Sequence, residues 1–375
     1  MALSKVDLAN QVENQLPQSL VADNVNFRNI LINGDMSIAQ RGTSFSSVSA
    51  GNGTYPVDRF RNNMGTAGTW TISQDTDVPS GQGFATSVKY DCTTANASLS
   101  AGSFLIFEQQ VEGQNLQYLK KGTANAESLT LSFWVKSNKT GTYIAELYDN
   151  DNTRQISQAY TISSASTWEK KTITYAGDTT GAFGNDNGAS LRLFLWLAAG
   201  SNYTSGTLNT SWNTTAVSNR VVGQVNLADD TANEWYITGV QLEAGTTASD
   251  FEFLPHDVNL QRCQRYYWQQ ISSDSSTLRP VAVGSYIQNA YIEWITQFPV
   301  QMRATPSLVS PTVTNGYEIY RAAAADSFNE VLLGNSTQYM AFLYNNTQVS
   351  GTGGQAGSIY CPNTYASSIA FSAEL

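Results

Sequence analysis

Cleavage of a glycosidic bond needs two carboxyl groups across the scissile bond, one acting as acid and the other as base or nucleophile. The chain sets acids near one another at three places: Asp149 with Asp151, Asp229 with Asp230, and Glu108 with Glu112. Neighbouring acids of this kind read first as solvated turns. The single histidine, His256, follows "FLP", and no G-x-S-x-G nucleophile motif accompanies it. No residue is therefore assigned a catalytic role, and the expectation is a protein that is not an enzyme. The other group with chemical potential is aromatic. Trp134 and Trp196 each stand among residues that could present an apolar platform beside hydrogen-bonding groups: Thr130 and Ser132 with the first, Arg192 and Phe194 with the second. Sugar rings, with apolar C–H faces and hydroxyl rims, are the ligands such a surface suits.

The elements that must hold these side chains are strands. "LTLSFWVK" alternates Leu129, Leu131, Phe133 and Val135 with Thr130, Ser132, Trp134 and Lys136, and "LRLFLWL" sets Leu191, Leu193, Leu195 and Leu197 against Arg192, Phe194 and Trp196. Period-2 alternation predicts one core face per strand. The aromatic sets then fall on the opposite faces, where either a glycan or a neighbouring subunit could cover the two tryptophans. Strand-like runs separated by Gly, Asn, Asp and Ser clusters continue from Asn26 to about Pro255, the spacing of a β-sandwich. "DVNLQRCQRYYWQ" predicts a short helix from its Leu260, Cys263, Tyr267 spacing, and alternation resumes beyond it.

Composition agrees with an all-β reading, because only 13% of residues are charged while 19 are Tyr and 15 Phe. The balance of 20 basic against 30 acidic residues, net −10, disfavours nucleic acid as a partner. The longest apolar stretches, such as Leu191 to Ala199, are too short for a membrane-spanning helix, so no membrane insertion is expected. Three widely spaced cysteines, Cys92, Cys263 and Cys361, make neither a disulfide framework nor a zinc motif. The oxygen-rich "DNDN" at 149–152 lacks the glycine and distal glutamate of an EF-hand and reads as a solvated turn. No metal or cofactor is expected. Asp58 and Arg59 in "YPVDRF", flanked by Tyr55, Val57 and Phe60, read as a buried or half-buried ion pair.

Ahead of the sandwich, "SKVDLANQVENQL" offers Ser4 as an N-cap and few apolar positions: Leu3, Val6, Leu8 and Leu16. These cannot bury a core alone, so residues 1–28 are expected to be a docking arm. The predicted organisation is a docking arm (1–28), a jelly-roll sandwich (29–255), and a linking helix with a smaller C-terminal β domain (256–375).

Four motifs occur in one order: "NILINGD" at Asn29, the stretch from Leu129 to Asp149, "WEKKTIT" at Trp168 and "WYITGVQLE" at Trp235. Together they resemble jelly-roll carbohydrate-binding modules. With "YPVDRF" and "VQLEAGTTASDFEFLPHDVNLQRCQRYY", the chain is more specifically similar to fibre and tail-fibre-like virion proteins of tailed bacteriophages. That resemblance implies a virion protein attached to other virion proteins through its N-terminal arm, assembled as a homotrimer and directed at host-surface glycans. The alternative is a secreted polysaccharide-processing enzyme or its binding module. In the modules, paired acids of the last strand help hold a structural calcium, whereas Thr238 and Gly239 stand in the matching places here.

Overall fold

A computed structural model describes residues 27–271, 279–362 and 367–375. Leu3, Val6, Leu8 and Leu16 of the expected arm lie outside them. The described chain forms two compact units. The first takes the residues up to Asp35, Ser46–Asn52 and Asn63–Phe253; the second takes Met36–Phe45, Gly53–Asn62 and Leu254–Leu375. The sequence reading takes 29–255 as one jelly-roll domain. Two short segments from its N-terminal part pack with the C-terminal unit, because the side chains they carry find their partners there.

The strands of the larger sheet are β1 (Ser44–Val57), β2 (Phe60–Asp75), β3 (Ser87–Thr94), β4 (Phe104–Glu112), β5 (Leu129–Ser137) and β6 (Gly141–Asp149). They continue with β7 (Arg154–Ile162), β8 (Glu169–Tyr175), β9 (Ala189–Ala199), β10 (Asn213–Thr214) and β11 (Glu234–Ala244), with a single helical turn, α1 (Ser201–Thr204), after β9. The hydrogen-bonded order is β10-β7-β6-β9-β4-β2-β3-β11-β5-β8, and β1 pairs with β2. Strands far apart on this path nevertheless touch through side chains. Phe133 of β5 meets Tyr160 of β7 at 5.1 Å, and Phe107 of β4 meets Trp235 of β11 at 6.0 Å. The path is therefore folded into two layers around one core, an all-β sandwich of the jelly-roll kind. Leu129, Leu131, Phe133 and Val135 on one layer and Leu191, Leu193, Leu195 and Leu197 on the other are all buried in that core.

The opening motif completes the sandwich. Ile30 N donates to Leu242 O, Asn29 Nδ2 to Val240 O, and Val240 N to Gly34 O. A Cβ at Gly34 would stand 2.0 Å from Val240 O, so only glycine allows this approach.

The second unit carries α2 (His256–Gln264), β12 (Tyr267–Ile271), β13 (Arg279–Gln288), β14 (Tyr291–Gln297), β15 (Ser307–Val309) and β16 (Tyr317–Arg321). It ends with β17 (Ala324–Phe328), β18 (Leu332–Leu333), β19 (Met340–Asn345), β20 (Ala356–Cys361) and β21 (Ile369–Ser372). Seven of them form a sheet in the order β17-β16-β20-β13-β14-β19-β18, and three form another, β12-β21-β15. Its core includes Tyr286, Trp294, Tyr317, Phe328 and Phe371.

Asp58 and Arg59 are both buried, but each finds its opposite charge elsewhere. Arg41 lies 3.4 Å from Asp58, and Arg59 pairs with Glu374. The two arginines also lie on tyrosine rings: Arg59 Cζ is 3.4 Å from the Tyr266 centroid and Arg41 Cζ is 3.6 Å from that of Tyr267. The segments "IAQRG", "YPVDRF" and "QRYY" are thereby one packed cluster.

Candidate functional site

Because the leucine faces of β5 and β9 both point into the core, their other faces point away from each other. The six aromatic and polar residues expected on the non-core faces therefore split into two sets. Thr130, Ser132 and Trp134 lie on the outer face of the β3-β11-β5-β8 layer. Thr130 Oγ1 donates to Gly245 O at 2.8 Å, Ser132 is buried, and Trp134 is half-buried opposite Thr238 and Lys170. Arg192, Phe194 and Trp196 lie on the outer face of the β7-β6-β9-β4 layer, where they meet residues the sequence did not single out.

That second face has a definite cross-strand register. Ile106, Trp196 and Ile144 form one row, Glu108, Phe194 and Glu146 the next, and Gln110, Arg192 and Tyr148 the third, across β4, β9 and β6. The segment after β9 returns over the first two rows. Tyr203 of α1 packs on Trp196 with centroids 5.3 Å apart and on Phe104 at 6.0 Å. Arg220 spans the rings of Trp196, Phe194 and Tyr148 at 5.0, 5.2 and 5.5 Å. Trp196 is consequently fully buried and Phe194 nearly so. Neither can serve as an open platform, and their cover comes from the chain itself. The rings left half-exposed are Tyr148, Phe104 and Tyr203.

They border a cleft of about 350 Å³ whose walls include Asn63, Asn150, Arg192, Thr215 and Arg220. Aromatic edges thus stand beside amide, hydroxyl and guanidinium groups, within the size range of small-ligand sites. Beneath them, Glu146 is fully buried. Arg220 Nε donates to its Oε1 at 2.9 Å and Nη2 to its Oε2 at 3.0 Å, while Trp196 Nε1 donates to Oε2 at 2.8 Å. Burial pushes the Glu146 carboxyl above the usual carboxylate range, against the opposing pull of Arg220 and the Trp196 indole. Both of its oxygens are engaged, which makes it a support for the aromatic band.

The paired acids have structural partners. Glu108 accepts from Asn63 Nδ2 and Gln110 Nε2, and Glu112 from Gln114 Nε2. Asp229 lies 2.5 Å from Lys139 Nζ, and Asp230 accepts from Ala232 N. The "DNDN" turn is not merely solvated: Asp149 is buried, accepts from the Asp151 and Asn152 amides, and lies 2.5 Å from Lys121 Nζ. His256 is exposed at the first turn of α2.

The place that matches the calcium-holding acids of the modules is filled by neutral groups. Thr238 Oγ1 donates to Thr86 O at 2.8 Å, and Gly239 adopts φ +64° at a bulge, with the Phe84 ring where its Cβ would be. With no carboxylate there, these residues do not fit a calcium ion. Among the described residues, no group of three or more His, Cys, Asp or Glu side chains could hold a metal.

Glu146, Tyr148, Arg220, Phe104 and Tyr203 escaped the sequence reading. The alternation of "TYIAELYD" carried a signal, since Ile144, Glu146 and Tyr148 share a face. Arg220 and Tyr203, in the segment after β9, carried none.

Fold and cleft together define an all-β sandwich with one aromatic, polar-rimmed cleft on an outer sheet face. No protein-family model matches the chain, and no curated protein matches it. Among solved structures, the enzymatically active domain of tailspike protein 4 of bacteriophage CBA120 is similar at 14% identity and a TM-score of 0.31, over 58% of this chain. The chain spans only 22% of that tailspike's length. A carbohydrate-binding module in complex with β-1,4-galactotriose is similar at 13% identity and TM-score 0.29, over 58% of this chain and 99% of its own. A family 11 carbohydrate-binding module from Clostridium thermocellum, in complex with a mixed-linked tetrasaccharide, aligns at 8% identity and TM-score 0.27, over 55% of this chain and 99% of its own.

Proposed function

We propose that this protein is a virion attachment protein of a tailed bacteriophage that binds a host-surface glycan without cleaving it. The observation that carries the glycan reading is the cleft: half-exposed Tyr148, Phe104 and Tyr203 beside Asn63, Asn150, Arg192 and Thr215 on a rigid sheet face. A sugar's apolar ring face suits the aromatic edges, and its hydroxyls suit the amides and the guanidinium. The virion reading rests on the ordered sequence motifs, with residues 1–28 as the arm that docks onto other virion proteins.

Self-association is supported by the outer face of the seven-stranded sheet, and its form as a homotrimer rests on the resemblance to phage fibres. Val283 is 73% exposed, Ile295 59% and Tyr320 46%, with Ile287 and Met340 also exposed. Cross-strand pairing lines up Tyr320, Ser358 and Val283, and places Phe342 opposite Ile295. Seven strands about 4.8 Å apart and about 20 Å long present about 600 Å², close to the ~800 Å² each partner contributes to a standard interface. The charged residues of that face include Glu293, opposite Ser285 and Tyr344, and Glu318, opposite Tyr360.

Titration with purified host polysaccharide fragments tests the glycan reading. Tyr148→Ala should weaken binding at least about 30-fold, as loss of an aromatic anchor does, with an unchanged melting temperature. Unaltered affinity in that variant rules out this cleft as the site. The polysaccharide should keep its length during incubation; shortened chains would instead favour the enzyme alternative.

A further inference from the structure

We infer that the ammonium group of Lys121 serves as a built-in structural cation for the sandwich, tying its connections together as a bound metal ion would. Four oxygens surround Lys121 Nζ: Asp149 Oδ2 at 2.5 Å, Gly181 O at 2.7 Å, Thr180 O at 3.0 Å and Asp178 Oδ2 at 3.0 Å. Two carboxylates and two carbonyls are the donor types that hold a hard cation. An ammonium has only three protons to direct at them.

The three side chains are nearly inaccessible, at 5% exposure for Lys121, 0% for Asp149 and 3% for Asp178. The rings of Phe183 and Trp212 close the site, with centroids 5.1 and 5.5 Å from Nζ. Arg154 also binds Asp178, its Nε donating to the same Oδ2 at 2.7 Å and its Nη2 to Oδ1 at 2.9 Å, so two positive and two negative charges balance. Although burial acts the other way, hydrogen bonds from Arg154 and Lys121 hold the Asp178 carboxyl below its ordinary range.

The partners come from separate places in the chain: Lys121 from the β4–β5 segment, Asp149 from the end of β6, and Asp178, Thr180 and Gly181 from the β8–β9 segment. Joining distant segments at one end of a sandwich is what a structural ion does. Because the cation is covalently attached, the fold does not depend on metal supply.

The test uses the full chain. Wild-type melting should be the same in EDTA and in millimolar calcium. Lys121→Met, whose thioether fills the space without charge, should melt about 10 °C lower, as expected when one partner of a buried ion network is removed. Calcium should not restore it. Lys121→Ala empties the cage and leaves it anionic; it should melt lower in EDTA and recover part of the loss in calcium. Terbium added to Lys121→Ala should give luminescence sensitised by Trp212, and none at this site in wild type. Recovery of folded Lys121→Ala only from calcium-containing buffer would support the inference equally. Wild-type protein stabilised by calcium as much as Lys121→Ala, a Lys121→Met protein as stable as wild type, or Lys121→Ala without terbium emission would overturn it.

Discussion

Replacing Arg220 by Met leaves Glu146 as a fully buried carboxylate that keeps the hydrogen bond from the Trp196 indole but has lost its counter-ion. The substitution removes contacts of 2.9, 3.2 and 3.0 Å. Breaking a buried pair from one side costs about 3–5 kcal/mol, because the remaining charge stays desolvated. For a unit of this size that corresponds to a fall of about 10 °C in melting temperature. Adding Glu146→Gln should return most of the loss, since the amide oxygen still accepts from Trp196 while no charge is left uncompensated. The coupling energy from the double-mutant cycle, measured by urea denaturation, should be about 2 kcal/mol or more. The pH dependence has a definite sign. Burial already raises the Glu146 carboxyl in the folded state and Arg220 opposes that rise, so removing Arg220 raises it further. A group raised on folding contributes stability that is lost as pH rises through its folded value. The deficit of Arg220→Met should therefore be largest at neutral pH and shrink on acidification towards about pH 5. A coupling below about 0.5 kcal/mol, or a deficit independent of pH, would refute the account of Arg220 as the counter-ion that holds the aromatic band in place.

Burial pushes the Asp58 carboxyl up to about 6 from 3.8, against Arg41 and the Gln40 hydrogen bonds. The second unit should therefore gain stability as pH falls from about 7 to about 5, by about 1.3 kcal/mol, and Asp58→Asn should remove that slope in urea titrations at the two pH values. Gly34→Ala should destabilise the first unit by about 3 kcal/mol in thermal melts, because its methyl would collide with Val240 O and no side chain can move aside. Ile295→Asp combined with Val283→Asp should yield monomers by light scattering without loss of melting temperature; an unchanged oligomer would move the interface elsewhere.

How legible the protein is from sequence differs between its parts. The alternation of "LTLSFWVK" and "LRLFLWL" placed eight residues in the core, because a strand's period of two ties side-chain direction to position. "NILINGD" marked where the sandwich begins, for a reason visible only in three dimensions: Asn29 and Gly34 lie against β11, more than two hundred positions later. The paired-acid arithmetic misled in one place, since "DNDN" reads as a wet turn until Lys121 is seen to enter it.

The class of fold, the strand faces and the lack of a local catalytic motif are thus readable from periodicity and spacing. Which outer faces coincide, and what covers them, emerges only once the chain is folded. Trp134 and Trp196 carry the same local signal, yet they lie on opposite layers, and a segment twenty-four residues beyond Trp196 brings Arg220 over its ring. The physical reason is that period-two alternation distinguishes inside from outside only within one strand. The order of strands, and the irregular chain that returns over them, is set by long-range pairing and packing that no short stretch encodes.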